Sequence, residues 1–489
     1  MPVRPTRRDL IMGGAGLAAA AAVGGLDLAL TSDSAPKPAK PAPAVRNYLS
    51  RTDLRPPVIS VKVVNGVLAP GLLLVTPSPP SGQHGPMIVD ETGEVVWFQP
   101  APSGQTATNF QVQTYQGEPV LTWWQGKQIS GYGNGEYVIM DSNYHEITRL
   151  SGGPGNVDLH EFQLTSAGTA LSTNYQQNGS LLDCFVREVD VATGRELMRW
   201  RASDHVSLSD SYQPRPKPGA GPWDFFHVNA VAVDSTDNNL LISSRHLWTV
   251  FKVHRQTGEV LWRLGGKRSD FTIADDARFH WQHDVRRRSD GKLSVFDNGY
   301  GATQNEKQSR GLILDLNESA HTVSLHRQLV HPNALLVQTQ GSVRELPGNA
   351  SFVGWGQLPY FSEYAADGSL RYDAQLQGGS YSYRAFRLDF QGMPTDNPAV
   401  AVTRGTGERQ DDEMTVHVSW NGATQAARWV VRTGASKDAL TAVALAHRSG
   451  FETPIRVARQ DYFAIDALDS SNQVLGSTSP IAVSSVLRA

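Results

Sequence analysis

Apolar and polar positions along this chain fall in short alternating runs, with no sustained helical spacing. One unit recurs: a turn of hydrogen-bond-acceptor residues, then an apolar strand that often ends in Trp. It appears as Glu91-Thr92-Gly93-Glu94-Val95-Val96-Trp97 and again at Asp141-Ser142-Asn143-Tyr144-His145-Glu146-Ile147. Ala192-Thr193-Gly194-Arg195-Glu196-Leu197-Met198-Arg199-Trp200 and Gln256-Thr257-Gly258-Glu259-Val260-Leu261-Trp262 repeat it. Asn317-Glu318-Ser319-Ala320-His321-Thr322-Val323 is a degenerate copy, and Ala366-Asp367-Gly368-Ser369-Leu370 follows. The turns recur every roughly 50 to 65 residues, the length of four short strands and their loops.

A second element lies between these turns. Its copies begin at Asn109-Phe110-Gln111-Val112, His160, His227, His283 and Val343-Arg344-Glu345-Leu346. Each is followed by a polar turn and another apolar strand, such as Leu240-Leu241-Ile242-Ser243-Ser244. The two elements together predict four strands per unit and an all-β fold, a six-bladed β-propeller over residues 46–392. The strands that open each blade would run along the central channel, so their first residues should gather at one mouth. Trp97, Trp200 and Trp262 are expected to pack between blades.

After Gly392-Met393-Pro394-Thr395-Asp396-Asn397-Pro398 the pattern changes to period two, as in Thr415-Val416-His417-Val418-Ser419-Trp420. Such strands over residues 393–489 predict a small C-terminal β-sandwich, similar to a fibronectin type III domain. No catalytic constellation is visible in it.

Composition narrows the reading. With 45 glycines, 28 prolines and 19% charged residues in 489, the chain suits a turn-rich β protein. A net charge of −3 gives no reason to expect nucleic acid as a partner. The single cysteine, Cys184, excludes an intrachain disulfide, zinc ribbons and iron–sulfur sites. Residues 1–45 read as a targeting segment. Thr6-Arg7-Arg8-Asp9-Leu10-Ile11 is a twin-arginine pattern, and an Ala/Gly/Leu-rich stretch and a Pro/Ala/Lys tether follow. The stretch is marginally long for a membrane span and rich in Gly and Ala. A cleaved signal is therefore expected, with the twin-arginine machinery as partner, no membrane insertion afterwards, and work outside the cytoplasm.

The candidate chemistry sits in the phase of the second element. Three of its copies carry histidine, as Leu159-His160-Glu161, Phe226-His227-Val228-Asn229 and Gln282-His283-Asp284. The strand after His227 ends Ser243-Ser244-Arg245-His246, and the one after His283 ends Phe296-Asp297-Asn298-Gly299. Equal phase in a repeat fold brings such residues to one point, and a histidine cluster with an arginine suits an oxyanion.

In order, spacing and residue type this block resembles the bacterial arylsulfotransferase family, the aryl sulfate sulfotransferases. The resemblance covers most of residues 46–390. It implies an exported six-bladed propeller with a small extra β domain. The reaction it implies moves a sulfuryl group from an aryl sulfate to a phenol through a sulfated histidine, with no cofactor, no metal and no nucleotide donor. By position, His283 matches the sulfated histidine, His227 and Arg245 match the sulfate-binding pair, and His160 matches a further active-site histidine. Asn229, His246 and Asn298 are expected to surround the substrate. His246, His280 and His254 lie beside the motif and are expected to support it. The chain departs from the family pattern in a short segment between Gly266 and His280, an extra domain that follows the propeller, and the lack of a cysteine pair.

The physical case stands beside the resemblance. Transfer of a sulfuryl group, like that of a phosphoryl group, depends on positioning and charge stabilisation. A neutral imidazole is a suitable nucleophile, an arginine can grip two oxygens at once, and a second histidine can carry the proton between phenols. Two alternatives remain at this stage. One is a metal-dependent propeller hydrolase or lyase built on the three imidazoles. The other is a non-catalytic extracellular binding propeller.

Overall fold

A computed structural model describes residues 44–80, 82–151, 157–303, 306–405 and 412–488. The expected signal and nearly all of its tether lie outside the described residues. Among those described, no helix is long and apolar enough to cross a membrane.

The chain is all-β. Six strands form the inner edge of the larger part: β1 (Thr106–Tyr115), β2 (Val157–Leu164), β3 (Val228–Val233), β4 (His283–Arg287), β5 (Ser342–Leu346) and β6 (Ser382–Leu388). Each starts an antiparallel sheet that runs outward strand by strand. From β3, for example, the order continues through Leu240–Ser244 and Thr249–Val253 to Val260–Gly265. Among the described residues, the strand pairing that joins the sheets starting at β1 and β2 is that of Gly135 with Val157. Neighbouring inner strands touch in chain order, and β6 in turn lies against β1, so the six form a ring.

Inner and middle strands are covered on both faces by the adjoining sheets. They therefore read as continuous apolar runs, and Leu240–Ser244 and Thr249–Val253 are buried throughout. Outer strands face solvent on one side and alternate, as Thr322–Leu329 does. Each apolar cluster of this part is shared by two adjacent sheets. One joins Leu171, Val186 and Trp200 to Val231, Leu240 and Phe251. Another joins Val250 and Leu264 to Val285, Val295 and Leu312. Trp97, Trp200 and Trp262 are all buried in such contacts.

The recurring turn is held by its acidic residue. Oδ1 of Asp90, Asp141, Asp190 and Asp367 accepts the backbone N–H of Thr92, Asn143, Thr193 and Ser369 at 2.8–2.9 Å. Gly93, Gly194, Gly258 and Gly368 close the turns at φ between 69° and 86°, a left-handed conformation that other residues adopt only under strain.

The repeat pattern suggests consecutive units, but one sheet is assembled from the two ends of this part. Its outer strands, Leu72–Pro77, Met87–Val89 and Val95–Phe98, come early in the chain. Its inner strand is β6, paired antiparallel to Leu72–Pro77. Ile59–Val64 joins instead the outer side of the β5 sheet, opposite Leu370–Leu376. This arrangement gives β6, the last strand of the ring, a partner from the start of this part and ties its two ends together.

Beyond Gly392 the described strands form two sheets around one core. One contains Ala399–Arg404, Glu413–Ser419 and Glu452–Ala458. The other is built on Arg428–Gly434 and Tyr462–Leu468. Alternate residues point inward, and Val416, Trp429, Ile455 and Phe463 pack together. Residues Pro43–Ala489 nevertheless form one compact unit. Tyr144 donates to Gly422 O at 2.7 Å, Asn421 bonds both backbone groups of Phe98, and Glu452 accepts the Ser50 N–H at 2.6 Å.

Candidate active site

The mouth of the ring is shaped by backbone irregularity. The pairing of β1, β3 and β4 with the next strand slips between Thr108 and Gln111, Val228 and Ala230, and His283 and Arg286. Asn109 and Asp284 sit inside two of these slips and His227 just ahead of the third, with φ of 58°, 54° and 51°. Such bulges turn a side chain out of the regular alternation, and two of them lie beside His227 and His283, which line the cavity described below.

His283 is the first residue of β4 and is buried. Its strand end is fixed from both sides: Gln282 Nε2 donates to Ser244 O at 2.9 Å, and Asn229 Nδ2 donates to Gln282 O at 2.6 Å. His283 Nδ1 lies 2.6 Å from Asn298 Oδ1. The Asn298 amide cannot turn over, because its Nδ2 donates to Val337 O at 3.1 Å and Gln340 O at 2.9 Å. Asn298 therefore presents an acceptor, and the ring proton sits on Nδ1. The Nε2 lone pair accepts the Gln340 backbone N–H at 3.2 Å. Burial, and then the Arg245 cation, push the protonation of His283 well below the ordinary histidine range. The ring is neutral, with its lone pair on Nε2 engaged only by the Gln340 N–H among the described residues.

His160 and His227 are each backed by a carboxylate. Asp158 and His160 share a face of β2, two residues apart. Asp158 Oδ2 takes His160 Nδ1 at 2.5 Å and the Thr173 hydroxyl at 3.0 Å, and its Oδ1 takes Gly133 N at 2.8 Å. Asp224 folds back on His227 in a tight turn, accepting its N–H at 2.9 Å and its Nδ1 at 2.5 Å. The two rings meet edge to face, 4.9 Å between centroids. Burial, then charge on His160 and Arg245, lower His227 well below the ordinary range.

Arg245 closes the group. Its NH1 is 3.1 Å from His246 Nε2, its NH2 donates to Gln338 O at 3.0 Å, and its guanidinium lies 4.9 Å from the Trp281 ring centre. Its Nε finds no acceptor among the described residues. Burial lowers the group to about 10, which leaves it a cation at neutral pH. His246 hydrogen-bonds Asp224 O through Nδ1 at 2.6 Å, and burial drives it down to about 3.

His160, His227, Arg245, His246 and His283 all line one cavity of about 860 Å³. Asn229 and Asn298 are buried and do not reach its wall. Their amides are taken up by backbone carbonyls, so they hold the wall from behind. His280 faces a different pocket, and His254 caps a turn by accepting Thr257 N–H. Sequence reasoning gave no role to Asp158, Asp224, Gln340 or Tyr383. The first two carried a usable signal, an acid two or three residues before each histidine. Gln340 and Tyr383 come from β5- and β6-side segments and carried none. Tyr383 lines the cavity 5.8 Å from His160, and its hydroxyl has no partner among the described residues.

The arylsulfotransferase (ASST) family model matches residues 111–377. The chain belongs to the arylsulfotransferase family. The match spans β2 to β5 whole, and with them every histidine of the cavity, while Tyr383 and the C-terminal sheets lie beyond it. No curated protein matches this sequence. Among solved structures, a Bacteroides caccae protein of unknown function aligns at 15% identity, TM-score 0.40, over 65% of this chain and 98% of its own. The Pseudomonas aeruginosa periplasmic gluconolactonase PpgL aligns at 13%, TM-score 0.37, over 84% and 96%. A streptogramin B lyase aligns at 11%, TM-score 0.36, over 74% and 94%. Similarities this low carry nothing about the reaction of this chain.

Beneath the histidines each inner strand adds one polar residue to a second layer: Asn109, Glu161, Asn229, Asp284, Arg344 and Arg384. Arg384 is fully buried at its centre. It donates to Asn109 Oδ1 at 3.0 Å, to both Glu161 oxygens at 3.1 Å and to Asn229 O at 3.0 Å, and its Nε is 3.4 Å from Asp284. Glu161 also pairs with Arg286. Asp284 pairs with Arg344 at 2.8 Å.

Proposed function

We propose that this chain transfers a sulfuryl group from an aryl sulfate to a phenol in two steps, with His283 as the covalent carrier. The observation that carries the proposal is the neutral His283, with its Nε2 lone pair, on the same cavity wall as a buried arginine and two carboxylate-backed histidines. In the first step Nε2 attacks sulfur and the bond from sulfur to the aryl oxygen breaks. The departing phenolate takes a proton from a histidine. In the second step an acceptor phenol returns a proton to that histidine and takes the sulfuryl group from Nε2. Arg245 holds the sulfuryl oxygens with its unpartnered Nε, and His227 joins it as an imidazolium stabilised by Asp224 and the bound anion. His160 carries the proton, because Asp158 stabilises the imidazolium that forms. The surrounding architecture is read as a six-bladed propeller over residues 46–392 with a fibronectin-like sandwich after it, exported by the twin-arginine route.

Intact-mass analysis after incubation with 4-nitrophenyl sulfate tests the proposal. The expected result is one added sulfuryl group, mapped to His283 and lost when a phenol is supplied. An unmodified protein that still releases nitrophenol would count against it.

Two substitutions probe the assignment. Arg245→Lys keeps a charge but loses the planar fork, and kcat should fall by about 10²- to 10³-fold. Steady-state kinetics with 4-nitrophenyl sulfate measures this. Asn298→Asp puts a carboxylate against His283 Nδ1. It favours the imidazolium, so the pKa of His283 rises and less of the free lone pair exists at a given pH. The acid limb of the pH–rate profile should move up by about one to three units.

One observation favours a second reading. Ligand atoms of Asp224, His227 and His246 lie within 4.8 Å of one another, a set that could hold a metal ion. Against this, Arg245 stands 3.1 Å from His246 Nε2, a fixed cation where the ion would have to sit. Metal content of the purified protein and the effect of a chelator on turnover separate the two readings.

A further inference from the structure

The cavity is larger than transfer between one-ring phenols requires. At about 860 Å³ it lies toward the upper end of pockets that hold drug-sized ligands. An aryl sulfate seated on His283 and Arg245 would fill only the floor. The remaining space lies under a rim made by the hairpin tip around Ser130, by Gln177 and by the loop from Gln213 to Trp223.

That rim carries a cation with no answering acid. Arg215 lines the cavity and is exposed. Its guanidinium rests 4.7 Å from the centre of the Trp223 ring. Trp223 is itself pinned, since its Nε1 donates to Gln213 O at 3.1 Å and its backbone N–H to Ser180 O at 2.7 Å. Among the described residues no carboxylate pairs with Arg215. The one acid on the cavity wall, Asp224, is held by His227. The cavity thus has a buried cation at its floor and an exposed one at its rim. Tyr132, Leu182 and Pro222 line it as well and offer apolar surface to an aromatic ring.

We propose that the ligand of this cavity is a phenol of two or more rings, or its sulfate ester, that bears a second anionic group remote from the reacting oxygen, and that Arg215 selects it. The proposal rests on the sulfuryl-transfer reading only for which end of the ligand faces His283.

Equilibrium binding tests it without turnover. Calorimetric titration would compare 4′-hydroxybiphenyl-4-carboxylate with its uncharged carboxamide, and the one-ring 4-hydroxybenzoate would serve as a length control. The wild-type protein should bind the biphenyl carboxylate about fivefold more tightly than the carboxamide, as a partly solvated ion pair gives. Arg215→Gln should remove that preference, Arg215→Glu should reverse it, and neither should alter binding of 4-hydroxybenzoate. Equal wild-type affinities, a preference that survives Arg215→Gln, or no binding of either biphenyl overturns the proposal. So does an equal response from the one-ring acid, since the anion would then not be remote. A protein that shows the preference yet forms no sulfohistidine sinks the catalytic reading alone. A labelled protein without the preference sinks only this one.

Discussion

His283→Ala is expected to abolish both the protein-bound sulfuryl group and the release of nitrophenol from 4-nitrophenyl sulfate. The fall in kcat should be at least about 10⁴-fold, because removing a nucleophile removes the path and not merely one contact. The argument rests on geometry. Asn298 accepts from Nδ1, so the attacking lone pair can only be on Nε2, and alanine offers nothing in its place. The fold should survive, since the alanine keeps the backbone pairing of β4 and the Gln282 anchor. Near-ultraviolet circular dichroism would check this. The second reading predicts a different pair of results. If His283→Ala keeps wild-type turnover while a chelator abolishes it, the chemistry belongs to Asp224, His227 and His246, and the covalent route is wrong.

Arg384→Met is expected to be the most destabilising single change in the inner ring. Burial opposes the charge on Arg384, but Glu161 and Asp284 outweigh it and hold the guanidinium charged. Removing one member of a buried ion network strands the others, at a cost of about 3–5 kcal/mol. The denaturant midpoint of the variant should fall accordingly, and a loss below about 1 kcal/mol would show that Arg286 and Arg344 take over the two acids. The acid side gives an independent check. Burial alone would raise Glu161, yet Arg286 and Arg384 bring it from an ordinary 4.5 down to about 2. A depressed folded-state pKa contributes stability that is present above pH 4.5 and is lost as pH falls through about 2. Without Arg384 the folded-state pKa moves back up, that contribution shrinks, and acid unfolding should begin at a higher pH than in the wild type.

The local pattern of this fold is legible in the sequence because it is set by near neighbours. The Asp and Gly of each turn act on residues two to four positions away, so Asp90-Glu91-Thr92-Gly93 and its copies can be read directly. The strands between them are legible as apolar runs. The shared phase of His160, His227 and His283 points to one cavity, since each lies near the start of an equivalent inner strand: His160 is the fourth residue of β2, His227 just precedes β3 and His283 opens β4. Asp158 and Asp224 were readable in principle from their spacing to the histidines.

What only the tertiary structure decided depends on residues that meet across the ring. Asn298 and Asn229 stand in the motif block as apparent substrate contacts. Which way each amide points is settled by the carbonyls of Val337, Gln340 and Gln282, none of which a motif can show. Tyr383 and Arg384 reach the site because β6, near the far end of the ring, pairs with Leu72–Pro77. That closure brings together positions more than 300 residues apart. Arg384 reads in the sequence as one more charged residue. It becomes the centre of a buried network only because six strands converge on it, and the exclusion of water there makes its ion pairs strong and their loss costly. The rim obeys the same rule. Arg215 lies in a Pro- and Gly-rich stretch with no periodic signal, and its place over the cavity comes from Trp223 pairing beside Leu181. In this chain the sequence determined strands, turns and the phase of the reactive side chains, because those follow from local sterics and hydrogen bonding. Charge balance, tautomer and cavity shape were decided by contacts between distant segments, whose energies exist only once the ring has closed.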